Sequence, residues 1–524
     1  MSSTEEPVNI YTPHRERRRI SSSEEDAKHN STLLEEGGEE EYYENATAQF
    51  KRQHKQGTSG LERLPPDVLD RISKFLYPKS KTNNKLNLAS VSPSVRTAVR
   101  SIPVDLSDYP MSVEALALFL KANKDLDVIG LSIEADESKS SLEPLRKYMA
   151  NLKKLNIYGF EALNLSALLE CKSLKHCKIY NLFGAVKYLT NCTRLKTLAI
   201  RGDSDILFRL NKLEKLEITH PEDINIDVSQ CKNLVELKIK LQGNVKELKL
   251  NNDLRKLQLH DVEIVNYSFL EEASSLRSLS IEQDEKEILD LTYLGNLKSL
   301  NKLVLSVEGI EGDFSKLTNL EHLKLDYKTM RAIPTLPTKL KWFELSRTGF
   351  RTTAPARLLH LSSLELCTQI ETILLTVKNT NLDLRDISSC TTVKNLNITC
   401  DRADNTGAME TLVNMVNLRL EINHLDFYPE LREYSVLDSL YIIDEDLQNL
   451  DFIEDCDELT TLYVKSDALD FEGSVPPCPK LVNVKIERIS IVRDEDDNSY
   501  LEEGKVIPFI EKVYNQQTVM ETPD

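Results

Sequence analysis

Seven basic side chains, Lys154, Lys178, Arg201, Lys215, Lys238, Lys240 and Lys256, sit at alternate positions within short stretches that read as β-strands, with His176 and His260 among them. Alternate residues of a strand share one face, so these cations should line one wall between about residues 150 and 260. Glu217 and Glu236 interrupt that wall. The chemistry on offer is non-covalent: ammonium and guanidinium groups hold carboxylates or phosphates by charge-assisted hydrogen bonds. The expected ligand is an acidic or phosphorylated segment of a protein. Further on, Glu282, Asp326, Glu344 and Glu365 face Lys302 and Lys324 in the same phase. Aromatic residues occupy equivalent positions at Tyr158, Tyr180, Trp342, Tyr441 and Tyr463, and Trp342, the only tryptophan, is a candidate interface anchor.

No spacing in the chain suits catalysis or metal binding. There is no P-loop, no Gly-x-Gly-x-x-Gly, no His-Glu-x-x-His and no nucleophile elbow, and only 16 glycines occur in 524 residues. The nine cysteines form no Cys-x-x-Cys pair and no zinc spacing. No catalytic residue, metal or cofactor is therefore expected. A net charge of −18 disfavours nucleic acid as a partner. No apolar run is long enough for a membrane span, and the first residues lack the apolar region of a secretory signal. Odd-numbered cysteines without that signal read as reduced thiols of the cytoplasm or nucleus.

The elements that must position the wall are repeats. A Leu-x-x-Leu-x-Leu phase starts at Leu126, Leu152, Leu174, Leu195, Leu213, Leu234, Leu254, Leu276, Leu300, Leu320, Leu340, Leu361, Val393, Met415, Leu437, Leu459 and Leu481. From Val393 onward each start follows the last by 22 residues, inside the range of leucine-rich repeats. The longer step from Leu361 to Val393 leaves room for a degenerate turn around Asn381–Ile387, and Asn244–Leu250 is an extra strand-like match. Cys171, Cys192, Cys231, Cys390, Cys456 and Cys478 each precede a start by three. Other repeats carry Met149, Leu210, Ala273, Leu297, Leu317 or Leu358 there, so the thiols read as core filling. One repeat cannot bury its own apolar face; stacked neighbours do.

Before the repeats, residues 1–58 are polar and read as a disordered tail. Ser21, Ser22 and Ser23 follow a run of arginines, and each has an acid three residues on, so they are candidate phosphorylation sites. Residues 60–102 read as three short helices. In the first, Leu64, Val68 and Ile72 recur every four residues, and Leu69, Phe75 and Leu76 widen the stripe. So small a unit has too much surface for its volume and needs a covering partner. After the repeats, residues 488–524 read as a cap and acidic tail, with a helix expected over Lys505–Asn515.

With Leu64-Pro65, Val68-Leu69, Ile72, Phe75-Leu76, Leu88 and the Ser90–Ser92 turn in place, residues 60–102 resemble the F-box family. Residues 103–487 resemble the cysteine-containing leucine-rich repeats found in F-box proteins. The aromatic usual after the Ser90–Ser92 turn is missing, and the Lys79–Asn84 loop is longer than usual. The resemblance implies an α/β solenoid: a three-helix F-box, then a curved array with parallel strands on its concave face. It implies that Leu64, Pro65, Val68, Leu69, Ile72, Phe75, Leu76 and Leu88 contact the Skp-type adaptor of an SCF (Skp–cullin–F-box) ubiquitin ligase. The repeats would then hold a protein substrate for ubiquitination and degradation. Two alternatives stay open: a scaffold on the same adaptor without ligase activity, for example in a chromosome-associated complex, and a free-standing repeat binding protein.

Overall fold

A computed structural model describes residues 103–487, several short connections excepted, and a strand pair between 491 and 501. The chain divides between Ile102 and Pro103, and the fold below is that of the second unit. The helices expected at 60–102, with Leu64, Pro65, Val68, Leu69, Ile72, Phe75, Leu76 and Leu88, lie outside the described residues, as do Ser21, Ser22, Ser23 and the helix expected at Lys505–Asn515.

The repeats build a 19-stranded sheet. Each strand buries alternate residues. In Lys215–His220, Leu216 and Ile218 are buried while Lys215 is exposed and Glu217 half-buried. The strands are parallel and share one phase. Leu155 pairs with Cys177, then Leu198, Leu216, Leu237 and Leu257. The series continues through Leu279, Leu303, Leu323, Phe343, Ile373, Leu396, Leu418, Leu440 and Leu462 to Val484. A slip of one residue would turn every apolar side chain outward, and each buried leucine stabilises by about 2 kcal/mol. Backbone bonds lock the strand entrances. The Lys153 carbonyl accepts from the N–H groups of Lys175 and His176 at 2.8 and 2.9 Å, and the Lys175 carbonyl accepts from Lys196 and Thr197 at 2.8 and 3.0 Å.

Among the described residues the returning segments hold tight 3-10 turns and short strands rather than α-helices. Among the described residues the only α-helix is Val113–Ala122, capped by Ser112, whose hydroxyl accepts from the Ala115 N–H at 3.2 Å. Repeats of about 20 residues leave too few positions for a full helix after the strand and its corners, and a 3-10 turn rises faster per residue. The fold is thus a leucine-rich repeat solenoid in which the described α-helix lies near the first strands.

Most of the cysteines sit at the corners that enter the strands, while Cys177 and Cys400 lie within strands. Cys390 N–H donates to the Ile387 carbonyl at 2.9 Å, and the Cys390 carbonyl accepts from Val393 at 3.0 Å. All nine thiols are free and buried. Cys390, Cys456 and Cys478 donate their S–H to carbonyls of the preceding repeat, Leu364, Leu431 and Ile453, at 3.5–3.6 Å. Burial pushes the Cys192 thiol up to about 12 and Cys231 up to about 11, so these sulfurs are packing groups rather than nucleophiles.

Several sequence expectations shift. A further strand, Val104–Met111, precedes the first expected one and pairs with Val128–Glu134. In that second strand Leu131 pairs with Leu155, so its phase starts at Val128 and the Leu126 start is two residues early. The Leu361 start is not a strand: Ser362–Leu366 is a 3-10 turn, with Leu361 and Leu364 buried and Leu366 exposed. The strand of that repeat is Thr372–Asp383, phased on Ile370. Asn381–Ile387 is therefore its far end and the next 3-10 turn, not a hidden repeat. Glu365 leaves the strand face, and Leu358, on the short strand Arg357–His360, is exposed rather than core. The corrected frame puts Cys367 three residues before Ile370, so seven of the nine cysteines share the corner phase. Asn244–Lys249 does form a strand, in a separate three-stranded sheet with Ile224–Asp227 and Glu263–Ile264.

Candidate binding surface

The outward residues of the long sheet form three rows, two residues apart along each strand. The first row runs Lys154, His176, Thr197, Lys215, Glu236, Lys256. The expected basic wall is there in position but not in charge. Lys215 and Lys256 both hold Glu236, at 2.7 Å each. Lys238 lies 3.0 Å from Glu217, Lys240 3.4 Å from Asp261, and Lys154 3.8 Å from both Asp105 and Asp108. Burial would raise the Glu236 carboxyl, but its bonds from Lys215 and Lys256 outweigh that and hold it below the usual range. The wall is thus a lattice of cross-strand ion pairs. The sequence showed the cations, with Glu217 and Glu236 among them, but not which pairs form, because the partners lie one repeat away, or two for Lys154, and are matched only once the register is known.

Lys178 and Arg201 differ: among the described residues neither has a carboxylate partner. Lys178 is exposed and stands opposite the small, buried Ala199. Beside them the Tyr158 and Tyr180 rings stack at 5.2 Å and 19°. Partial burial, then Lys154, Lys175 and Lys196, hold His176 below the ordinary histidine value, although Glu214 pulls the other way. Toward the middle, Trp342 is 37% exposed and tilts against His322 at 6.4 Å, while Lys324 meets Glu344 at 2.6 Å.

One cluster invites a catalytic reading and fails it. His260 Nδ1 lies 2.8 Å from Glu282, and the Ser280 hydroxyl donates to the same carboxylate at 3.0 Å. The hydroxyl bonds the acid, not the imidazole, so no base is aimed at it. Among the described residues no group of His, Cys, Asp and Glu is placed to hold a metal, and no helix is long and apolar enough to cross a membrane.

The last strands carry a different surface. Their first row is uncharged. Asn417 donates to Asn395 at 2.7 Å, Asn395 to Thr372 at 3.1 Å, and Asn483 to Thr461 at 3.4 Å. In the second row Arg419, Tyr441, Tyr463 and Lys485 pair in succession. The two tyrosine rings lie 4.2 Å apart and 4° from parallel. The Arg419 guanidinium covers the open face of Tyr441 at 4.0 Å, and the Lys485 ammonium lies 5.2 Å from the Tyr463 centroid. The Tyr463 hydroxyl donates to Glu487 at 2.6 Å, and Glu487 also holds Lys485 at 2.6 Å. Sequence reading found Tyr441 and Tyr463 but not the cations closing the stack. The signal was present, since 419, 441, 463 and 485 are separated by the 22-residue repeat itself.

Just beyond Ser439–Ile443, Asp444 is buried and accepts from the Tyr428 hydroxyl and the Asp446 N–H, the latter at 2.9 Å. Burial pushes its carboxyl up to about 6, with the Asp446 N–H pulling down and the Asp446 charge adding to the rise.

No family model matches the chain, and no curated protein does. Solved structures similar to it include an internalin from Listeria monocytogenes, 19% identical with a TM-score of 0.40, covering 60% of this chain and 94% of that one. A leucine-rich repeat protein of Leptospira interrogans is 15% identical with a TM-score of 0.47, covering 69% and 95%. Toll, solved in its complex with Spatzle from Drosophila, is 12% identical with a TM-score of 0.45, covering 73% and 51%. At these identities the likeness is one of fold.

Proposed function

We propose that this chain is the substrate-recognition subunit of an SCF-type ubiquitin ligase, with residues 60–102 docking on a Skp-type adaptor and the open face of the sheet holding a protein substrate. The observation that carries this reading is the order of parts: an F-box-like stretch followed directly by repeats with a corner-cysteine phase. Moving one repeat start from Leu361 to Ile370 brings Cys367 into that phase, which strengthens the resemblance. The chain supplies no catalytic group in this reading; the adaptor brings a cullin and a conjugating enzyme. Of the predicted substrate contacts, Lys178 and Arg201 are those with no carboxylate partner among the described residues, so an acidic or phosphorylated segment is assigned to them. Lys154, Lys215, Lys238, Lys240 and Lys256 belong to the internal lattice, and Trp342 stays a half-exposed anchor. The site of action that follows is the cytoplasm or nucleus.

Affinity capture of the intact chain tests the proposal. Adaptor and cullin should co-purify, and both should be lost when Leu64 and Pro65 become alanine. Adaptor without cullin would point to a scaffold instead. Neither would leave a free-standing binding protein. A chain lacking residues 1–102 should keep only the substrate-side partners.

A further inference from the structure

We infer that the Tyr441–Tyr463 stack is a docking ridge for an aromatic side chain carried by an uncharged segment of a partner protein. The inference rests on the open face of the sheet being a binding surface, and not on the ligase assignment. All four faces of the two rings are occupied. Two meet each other at 4.2 Å, one meets Arg419 and one meets Lys485. The Tyr463 hydroxyl is held by Glu487, so what the stack can offer a partner is ring edges. A ring edge carries the positive end of the aromatic quadrupole and attracts the negative face of another ring. Two parallel edges about 4 Å apart form a platform as wide as one aromatic side chain lying flat across both.

The surrounding charges select the rest of the partner. Arg419 is held by Glu421 at 3.4 Å, Lys485 by Glu487 at 2.6 Å, and Lys465 stands opposite Glu487 in the register. A charged segment would have to compete with these pairs, whereas a neutral one leaves them intact. The adjoining row, with Thr461 and Asn483, supplies uncharged donors and acceptors for a peptide backbone. The stack is also ordered before anything binds, because the Glu487 bond and the two cations fix both rings. Less side-chain entropy is then lost on docking, the property that makes rigid aromatic residues effective anchors.

The test uses the full chain on an array of neutral peptides with Ser, Gln and Ala flanks and a central Trp, Tyr, Phe, Leu, Glu or Lys. Aromatic-centred peptides should be retained about tenfold better than leucine-centred ones. Raising NaCl from about 0.1 to about 0.5 M should change that retention less than about twofold. Tyr441→Ala and Tyr441→Leu should abolish the preference, the second while keeping an apolar side chain in that outward position. Tyr463→Phe should preserve it, since the edges remain, and Lys121→Ala, in the last turn of the helix Val113–Ala122, should leave it unchanged. Equal retention of leucine-centred peptides overturns the inference, as does no retention at all. Preference for glutamate-centred peptides with strong salt dependence would replace the neutral occupant with an acidic one. Concentration-dependent self-association lost in Tyr441→Ala would mean that the ridge meets a second copy instead. Adaptor capture is read separately, so its failure sinks the ligase reading and leaves the ridge standing, and the converse holds.

Discussion

Glu236 and Tyr441 are outward residues of parallel strands, each flanked by side chains one repeat away, yet they are held by different forces. Glu236 lies between Lys215 and Lys256, both at 2.7 Å. Tyr441 lies between Arg419 at 4.0 Å and Tyr463 at 4.2 Å. The first arrangement saturates charge across the strands, so a surface rich in lysine ends up nearly neutral and sensitive to salt. The second uses ring faces, tolerates salt and leaves edges free. A solenoid that repeats one backbone can thus hold two kinds of surface, because only the outward rows differ.

The largest effect should come from breaking the stack. Tyr441→Ala removes the ring that meets both Arg419 and Tyr463, at a cost of about 2 kcal/mol in local stability. A solenoid opens repeat by repeat, so the loss should be read by hydrogen exchange at Ser439–Ile443 and Thr461–Lys465. Exchange that stays unchanged there, with faster exchange elsewhere, would contradict a local stack.

Acid should separate the two regions by sign. Asp444 has a folded value of about 6, raised above the ordinary 3.8. Its contribution to stability is therefore fully present below 3.8 and lost as pH rises through about 6. Glu236 is lowered from 4.5, so its contribution is present above 4.5 and lost as pH falls through its folded value. Lowering pH from 7 to about 5 should firm the last repeats and leave the Lys215–Lys256 region unchanged; further acid should loosen that region. Asp444→Asn should stabilise the C-terminal repeats at pH 7 by about 1 kcal/mol, with solvent screening allowed for, and the gain should vanish near pH 4. A gain that persists at pH 4 would mean that the carboxyl is not the titrating group.

Much of the backbone was legible in the chain because the apolar phase and the stacking obey the same rule. The starts at Leu152 through Leu340 and Val393 through Leu481 head strands paired in one register. Leu361 misled because Leu361-x-x-Leu364-x-Leu366 is equally satisfied by a 3-10 turn with two buried leucines and one exposed. Cys367 carried the correct frame: a small thiol fits the corner, whereas a strand phased on Leu361 puts Leu358 there, which the structure leaves exposed. The ion-pair lattice was less legible, since alternation tells which face a lysine takes and not which carboxylate stands one repeat over.

The smallest effect tests whether the lattice is a surface property at all. Lys238 and Glu217 are 3.0 Å apart with side chains 38% and 39% exposed. A double-mutant cycle of Lys238→Ala and Glu217→Ala should give a coupling of about 0.5 kcal/mol at low salt, falling toward zero near 0.5 M NaCl. Lys178→Ala, which breaks no ion pair among the described residues, should leave stability unchanged under both conditions. A salt-resistant coupling above about 1.5 kcal/mol would mean that this pair is shielded from solvent. The division between an ionic and an aromatic region would then no longer rest on exposure, and Glu217, together with Lys238, would have to be counted with the solenoid's structural core.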